Sequence, residues 1–116
     1  MARLTDPRLL GAYRNALGNW SVTNYVIWTE LAQAWVRREL ELTTGEVARL
    51  MHEYLCCGGE IDRVKEIRPE WSNFDFHYDL RMTIEGRRVY VETRLFYEDL
   101  NDPDDPYIHV VNIHDE

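Results

Sequence analysis

The stretch FDFHYDLRMTIEGRRVYVETRLFY, residues 74–97, decides the fold. Phe74, Phe76, Tyr78, Leu80, Met82 and Ile84 alternate with Asp75, His77, Asp79, Arg81, Thr83 and Glu85. A period of two marks a strand with one buried face. Gly86 turns the chain, and Val89, Val91, Thr93, Leu95 and Tyr97 share one face of the return strand, opposite Arg88, Tyr90, Glu92, Arg94 and Phe96. With Glu85 and Gly86 as a two-residue turn, paired residue numbers sum to 171 and apolar residues meet apolar residues throughout. Leu80 then faces Val91, and Met82 faces Val89.

Beyond the hairpin, Asn101 to Pro106 is rich in Asp and Pro and reads as a loop, after which Tyr107 to His114 returns as a third strand. No helix intervenes, so the strands form an antiparallel meander. On the N-terminal side, Asp6-Pro7 is a helix-start signal and Gly18-Asn19 a stop, which predicts a helix from Pro7 to Leu17. A longer helix is expected from Thr23 to Glu41, with Trp28, Leu31, Ala32, Trp35 and Val36 at helical spacing on its core side. Thr43-Thr44-Gly45-Glu46 reads as a capping box leading into Val47, Leu50, Met51, Tyr54 and Leu55, and Gly58-Gly59 ends that third helix. Ile61 to Arg68 fits strand or short helix equally. The expected fold is therefore one α+β domain over residues 1–116, with N-terminal helices packed on a three- to four-stranded antiparallel sheet.

The net charge of -8 argues at first against a nucleic-acid partner. Residues 98–116, however, hold seven of the 21 acids and none of the 13 bases, so the rest of the chain is nearly neutral and can present a local basic patch. No apolar run approaches the roughly 20 residues that cross a bilayer, and the N-terminal residues lack the apolar stretch of a signal peptide. A cytoplasmic protein is expected. Cys56 and Cys57 are adjacent, without a Cys-x-x-Cys partner, and read as plain buried thiols.

On the polar face the register sets Asp79 opposite Glu92, His77 opposite Arg94 and Arg81 opposite Tyr90. Two opposed carboxylates repel unless neutralised, and Arg81 and Arg94 are the nearest cations. One reading is a solvated ion-pair lattice of little energetic weight. A second is a Mg²⁺ ion held by Asp79 and Glu92. A third is a metal-free ribonuclease site, because His77, Arg81, Tyr90 and Arg94 combine a base, cations for a phosphate and an acid. His52, on the exposed side of the third helix, is incidental, while His109 and His114 alternate with apolar residues on the last strand.

The run from Phe74 to His114, with Gly-Arg-Arg-Val-Tyr-Val-Glu at 86–92 and Ile-His-Val-Val-Asn-Ile-His at 108–114, resembles the C-terminal sheet of MqsR-type mRNA interferase toxins and their RelE-superfamily relatives. The resemblance covers about the last 55 residues. It implies a RelE-like fold, metal-free cleavage of RNA, and a cognate antitoxin as protein partner. Position by position, the family's catalytic tyrosine falls on Tyr90, a glutamine of its first strand on His77, and a lysine ending its last strand on His114. The resemblance thus adds His114 to the site. Asp79 followed by Val91-Glu92-Thr93-Arg94 is also similar to the PD-(D/E)xK nuclease motif, in which Asp and Glu hold Mg²⁺ and a lysine assists water; here the lysine's place is taken by Arg94.

The expected function is a toxin-antitoxin or defence-associated RNase-like protein acting on RNA without a cofactor, with His77, Arg81, Tyr90, Arg94 and His114 as the site. The alternative from a different class is a non-catalytic subunit whose aromatic helices and acidic tail dock on a partner protein, which a contiguous exposed patch of Trp20, Trp28 or Trp35 would favour.

Overall fold

The computed structural model describes residues 2–116. Its elements in chain order are β1 (Ala2–Arg3), α1 (Pro7–Gly18), β2 (Val26–Trp28), α2 (Glu30–Trp35) with a π-helical continuation (Val36–Leu40), α3 (Thr44–Cys56), β3 (Ile61–Lys65), a 3₁₀ turn (Pro69–Trp71), β4 (Phe76–Ile84), β5 (Arg87–Phe96) and β6 (Tyr107–Asp115). The strands form one sheet in the order β1-β3-β4-β5-β6-β2. In place of the expected three- to four-stranded antiparallel sheet there are six strands, and the sheet is mixed: β3 to β6 are antiparallel neighbours, but β2 runs parallel to β6.

The β4–β5 hairpin holds the register read from the sequence, with Asp79 on Glu92, Leu80 on Val91, Arg81 on Tyr90 and Met82 on Val89. Glu85 and Gly86 both take positive φ, 50° and 82°. That is the backbone of a type I′ turn, whose twist matches the flanking strands. The ladder runs from Ile84–Arg87 to Tyr78–Thr93, and His77, expected opposite Arg94, pairs on its other side with Val64 of β3. The stretch left open at 61–68 is thus largely an added strand.

The second helix is the main correction to the N-terminal half. Val26–Trp28 is a strand against Ile108, His109 and Val110, and Thr29 caps the short α2 that follows. Leu31, expected in the core, is 85% exposed. Its spacing from Trp28 fitted a helix, but Trp28 belongs to the strand before the cap. By contrast, α1 begins at the Asp6 cap with Pro7 in its first turn, and α3 carries the full Thr43–Glu46 capping box. Cys56 and Cys57 are both exposed, not buried, because they fall where α3 ends beside the left-handed Gly58. His52 is half-buried and its Nε2 lies 3.5 Å from the Cys56 sulfur.

The helices cover one face of the sheet. Tyr13, Leu17, Val36, Val47 and Met51 meet Ile61, Leu80, Ile84, Val89, Val91 and Ile108 in a single core. One polar thread crosses it. Thr93 Oγ1 donates to the Tyr78 carbonyl at 2.8 Å, so the Tyr13 hydroxyl, 2.8 Å from the same oxygen, must be the donor to Thr93. A hydroxyl carries only one hydrogen. Among the described residues no helix is long and apolar enough to cross a membrane.

Candidate functional site

The opposite face, expected to be polar and solvated, is divided into a buried ion cluster and an open groove. The link from β3 to β4 folds back over one end of the face. Its Trp71 ring lies over the Arg94 guanidinium at 4.8 Å and meets Phe74 and His109 edge-on. Arg94 is consequently fully buried. Its two terminal nitrogens donate to Glu66 and Glu92, and Arg68 donates to the same two carboxylates. Arg94 Nε is buried without a hydrogen-bond partner.

Asp79 and Glu92 stand directly opposed, and each finds its own relief. Asp79 is 2.8 Å from His77 Nδ1 and also accepts a hydrogen bond from the Tyr90 hydroxyl. Burial nevertheless raises its pKa above the usual carboxylate value, outweighing both bonds. Burial pushes Glu92 the same way, but hydrogen bonds from Arg68 and Arg94 prevail and hold it low. Glu66 is likewise desolvated, yet Arg68 and the charge of Arg94 bring it down to about 2. Neutralisation therefore comes from Arg68 and Arg94, not from Arg81. Arg81 pairs with Asp62 and reaches Glu116 at 3.7 Å.

The groove lies over β4, β5 and β6, about 420 Å³ in volume, lined by Arg81, Tyr90, Glu92, Asn112, His114 and Glu116. A β-bulge builds its far wall. Glu92 pairs with Asn112 but Thr93 with Val110, leaving Val111 as the extra residue of β6. The slip puts both His109 and His114 on the outer face despite their odd spacing. Val111 is fixed by its carbonyl, which accepts from Thr29 Oγ1 at 3.0 Å.

At the centre of the groove Tyr90 is flanked by both neighbours on the sheet. The Arg81 guanidinium sits 5.2 Å from its ring centroid and the His114 ring stacks at 4.8 Å, 27° between planes. Burial and the bond to Asp79 raise the Tyr90 pKa far above a free phenol's, so its proton stays in place at neutral pH. His114 Nδ1 donates to the Asp115 carbonyl at 2.7 Å, which leaves Nε2 as the acceptor. His114 is exposed and Tyr90 half-buried.

Of the five site residues expected from sequence, Arg81, Tyr90 and His114 thus line one groove. His77 stands behind it as part of the His77–Asp79–Tyr90 chain, and Arg94 is enclosed with Glu66 and Glu92, out of reach of any substrate. Sequence reading missed Glu66 and Arg68, whose stretch had no fixed secondary structure, and Trp71, which lies in the covering turn.

A metal has one candidate place among the described residues. Ligand atoms of Glu66, His77 and Glu92 lie within 4.8 Å of one another, and a carboxylate behind a histidine, as Asp79 stands here, is a common metal-site support. Both glutamates are already bound by two arginines each, and Asp79 is engaged by His77 and Tyr90. The donor set is thus occupied by the protein's own cations and fits an ion cluster better than a Mg²⁺ site on Asp79 and Glu92. No protein-family model, no curated protein and no solved structure matches the chain.

Proposed function

We propose that the protein is an endoribonuclease that works without metal in the groove over β4–β6, His114 acting on the 2′-hydroxyl and Arg81 on the phosphate. The observation that carries this reading is Tyr90 flanked by Arg81 and His114, with the acceptor nitrogen of an exposed imidazole left available. An imidazole is the side chain suited to take up and return a proton near neutral pH. His114 Nε2 takes the 2′-hydroxyl proton, the 2′-oxygen attacks the adjacent phosphorus, the P–O5′ bond breaks, and the proton passes to the 5′-oxygen. The products are a 2′,3′-cyclic phosphate and a 5′-hydroxyl.

Arg81 offsets the charge that builds on the phosphate oxygens. It must exchange Glu116 for the phosphate, and such a partly exposed contact costs only about 0–1 kcal/mol to give up. Tyr90 does not titrate in this scheme. Its ring forms the floor between cation and base, and the bond to Asp79 fixes it there.

The test is RNA cleavage by the full chain, on free RNA and in a cell-free translation reaction, with the product ends identified. Wild type is expected to leave 2′,3′-cyclic phosphates, with His114→Ala losing roughly 10²- to 10⁴-fold in rate. Tyr90→Phe, which keeps the ring, should lose far less. Unchanged cleavage in His114→Ala, or no cleavage by wild type in either reaction, would overturn the proposal.

A further inference from the structure

A second cavity is larger than the groove. It is a cleft of about 890 Å³ at the other end of the hairpin, between the N-terminal segment and the ends of β3, β4 and β5. Its walls are unusually aromatic, with Phe76, Tyr78, Phe96 and Tyr97 among them. Phe96 is already stacked on Tyr107, 4.9 Å between centroids, and Tyr78 is half-buried edge-on to Tyr13. Tyr97 is different, being 48% exposed, with no ring partner among the described residues. Beside it Arg63 lies 4.5 Å over the Phe76 ring and forms no ion pair among the described residues. The cleft's own acids are Asp6, occupied in capping α1, and Asp75.

An exposed aromatic platform next to a guanidinium without a carboxylate is the pairing that single-stranded nucleic acids use, base on ring and phosphate on cation. Phe96, which lines the cleft, is six residues along β5 from Tyr90 of the groove. At strand rise that is about 20 Å. The two open on opposite faces of the sheet, however, since Tyr97 shares the side of Leu95 and of Tyr78, which meets Tyr13 of α1, while the groove lies on the outer side.

We propose that this cleft binds one nucleotide of a single-stranded RNA, its base stacked on Tyr97 and its phosphate against Arg63. The choice of RNA rests on the cleavage reading above, whereas stacking beside a cation does not depend on it. The cleft is a site separate from the groove, on the other face of the sheet.

The probes are adenosine 5′-monophosphate and ribose 5-phosphate, titrated calorimetrically into the full chain and into Tyr97→Ala and Arg63→Gln. Both residues are exposed, and circular dichroism checks that the variants fold. The nucleotide is expected to saturate and ribose 5-phosphate to bind about tenfold more weakly or worse, with Tyr97→Ala losing about tenfold or more. Arg63→Gln should weaken binding and flatten its salt dependence. Equal binding of the two probes, or nucleotide affinity unchanged in both variants, would overturn the site. The two proposals fail separately. Nucleotide binding by a protein that never cleaves RNA leaves the cleft standing and removes the nuclease, while cleavage with no nucleotide binding does the reverse.

Discussion

Replacing Arg94 by methionine removes a fully buried cation from the outer face. Its partners Glu66 and Glu92 have side chains 1% and 6% exposed, and the cation left to them among the described residues is Arg68, 36% exposed. Taking one member from a buried ion pair costs roughly 3–5 kcal/mol, because the other charge is stranded away from water. Arg68 still donates to both carboxylates, though with a single charge, which sets the expected loss near the lower end, about 3 kcal/mol. With a urea slope of about 2 kcal/mol/M, the midpoint falls by about 1.5 M. That is a large part of the roughly 5–15 kcal/mol that holds a domain together.

Urea unfolding followed by circular dichroism measures the loss, and Glu66→Gln in the Arg94→Met background should restore part of it by removing the stranded charge. The effect also has a pH signature. Glu66 is held at about 2, below its ordinary 4.5, so its contribution is full above 4.5 and disappears as pH falls toward 2. The gap between wild type and Arg94→Met should therefore narrow through that window. An Arg94→Met midpoint within error of wild type at pH 7 would refute the buried cluster and restore a solvated lattice.

Thr93→Val strands the fully buried Tyr13 hydroxyl, and urea unfolding should register a loss of about 1–3 kcal/mol; Tyr13→Phe in the same background should recover much of it. Leu31→Lys, at a position 85% exposed, should change stability by less than about 0.5 kcal/mol in the same assay. A loss of several kcal/mol there would mean that the helix runs through Trp28 after all.

The hairpin was legible because alternation over 74–97 is long and only one turn position keeps apolar residues in register. The caps at Asp6 and Thr43 were legible for a similar reason, being local hydrogen bonds between residues two or three apart. Strand β2 was not legible. Three residues of parallel pairing to β6, more than 80 positions away, leave no periodic trace, and the Trp28–Leu31–Trp35 spacing imitates a helix.

The site was half legible. Alternation placed Arg81, Tyr90 and Arg94 on one face, but their burial depends on the 66–75 link folding over one end of that face. No pattern in a 3₁₀ turn announces that its tryptophan will cover an arginine. The odd spacing of His109 and His114 becomes intelligible only through the bulge at Val111. The tryptophan patch that would have favoured a docking subunit is not assembled, since Trp28 and Trp35 pack against the core and Trp20 is the exposed one.

The most direct test of the account is cleavage of free RNA by the purified chain in EDTA and again in Mg²⁺. The groove chemistry predicts equal rates and 2′,3′-cyclic phosphate ends in both. Cleavage that requires Mg²⁺ would contradict it and return the reaction to the carboxylates of Asp79 and Glu92.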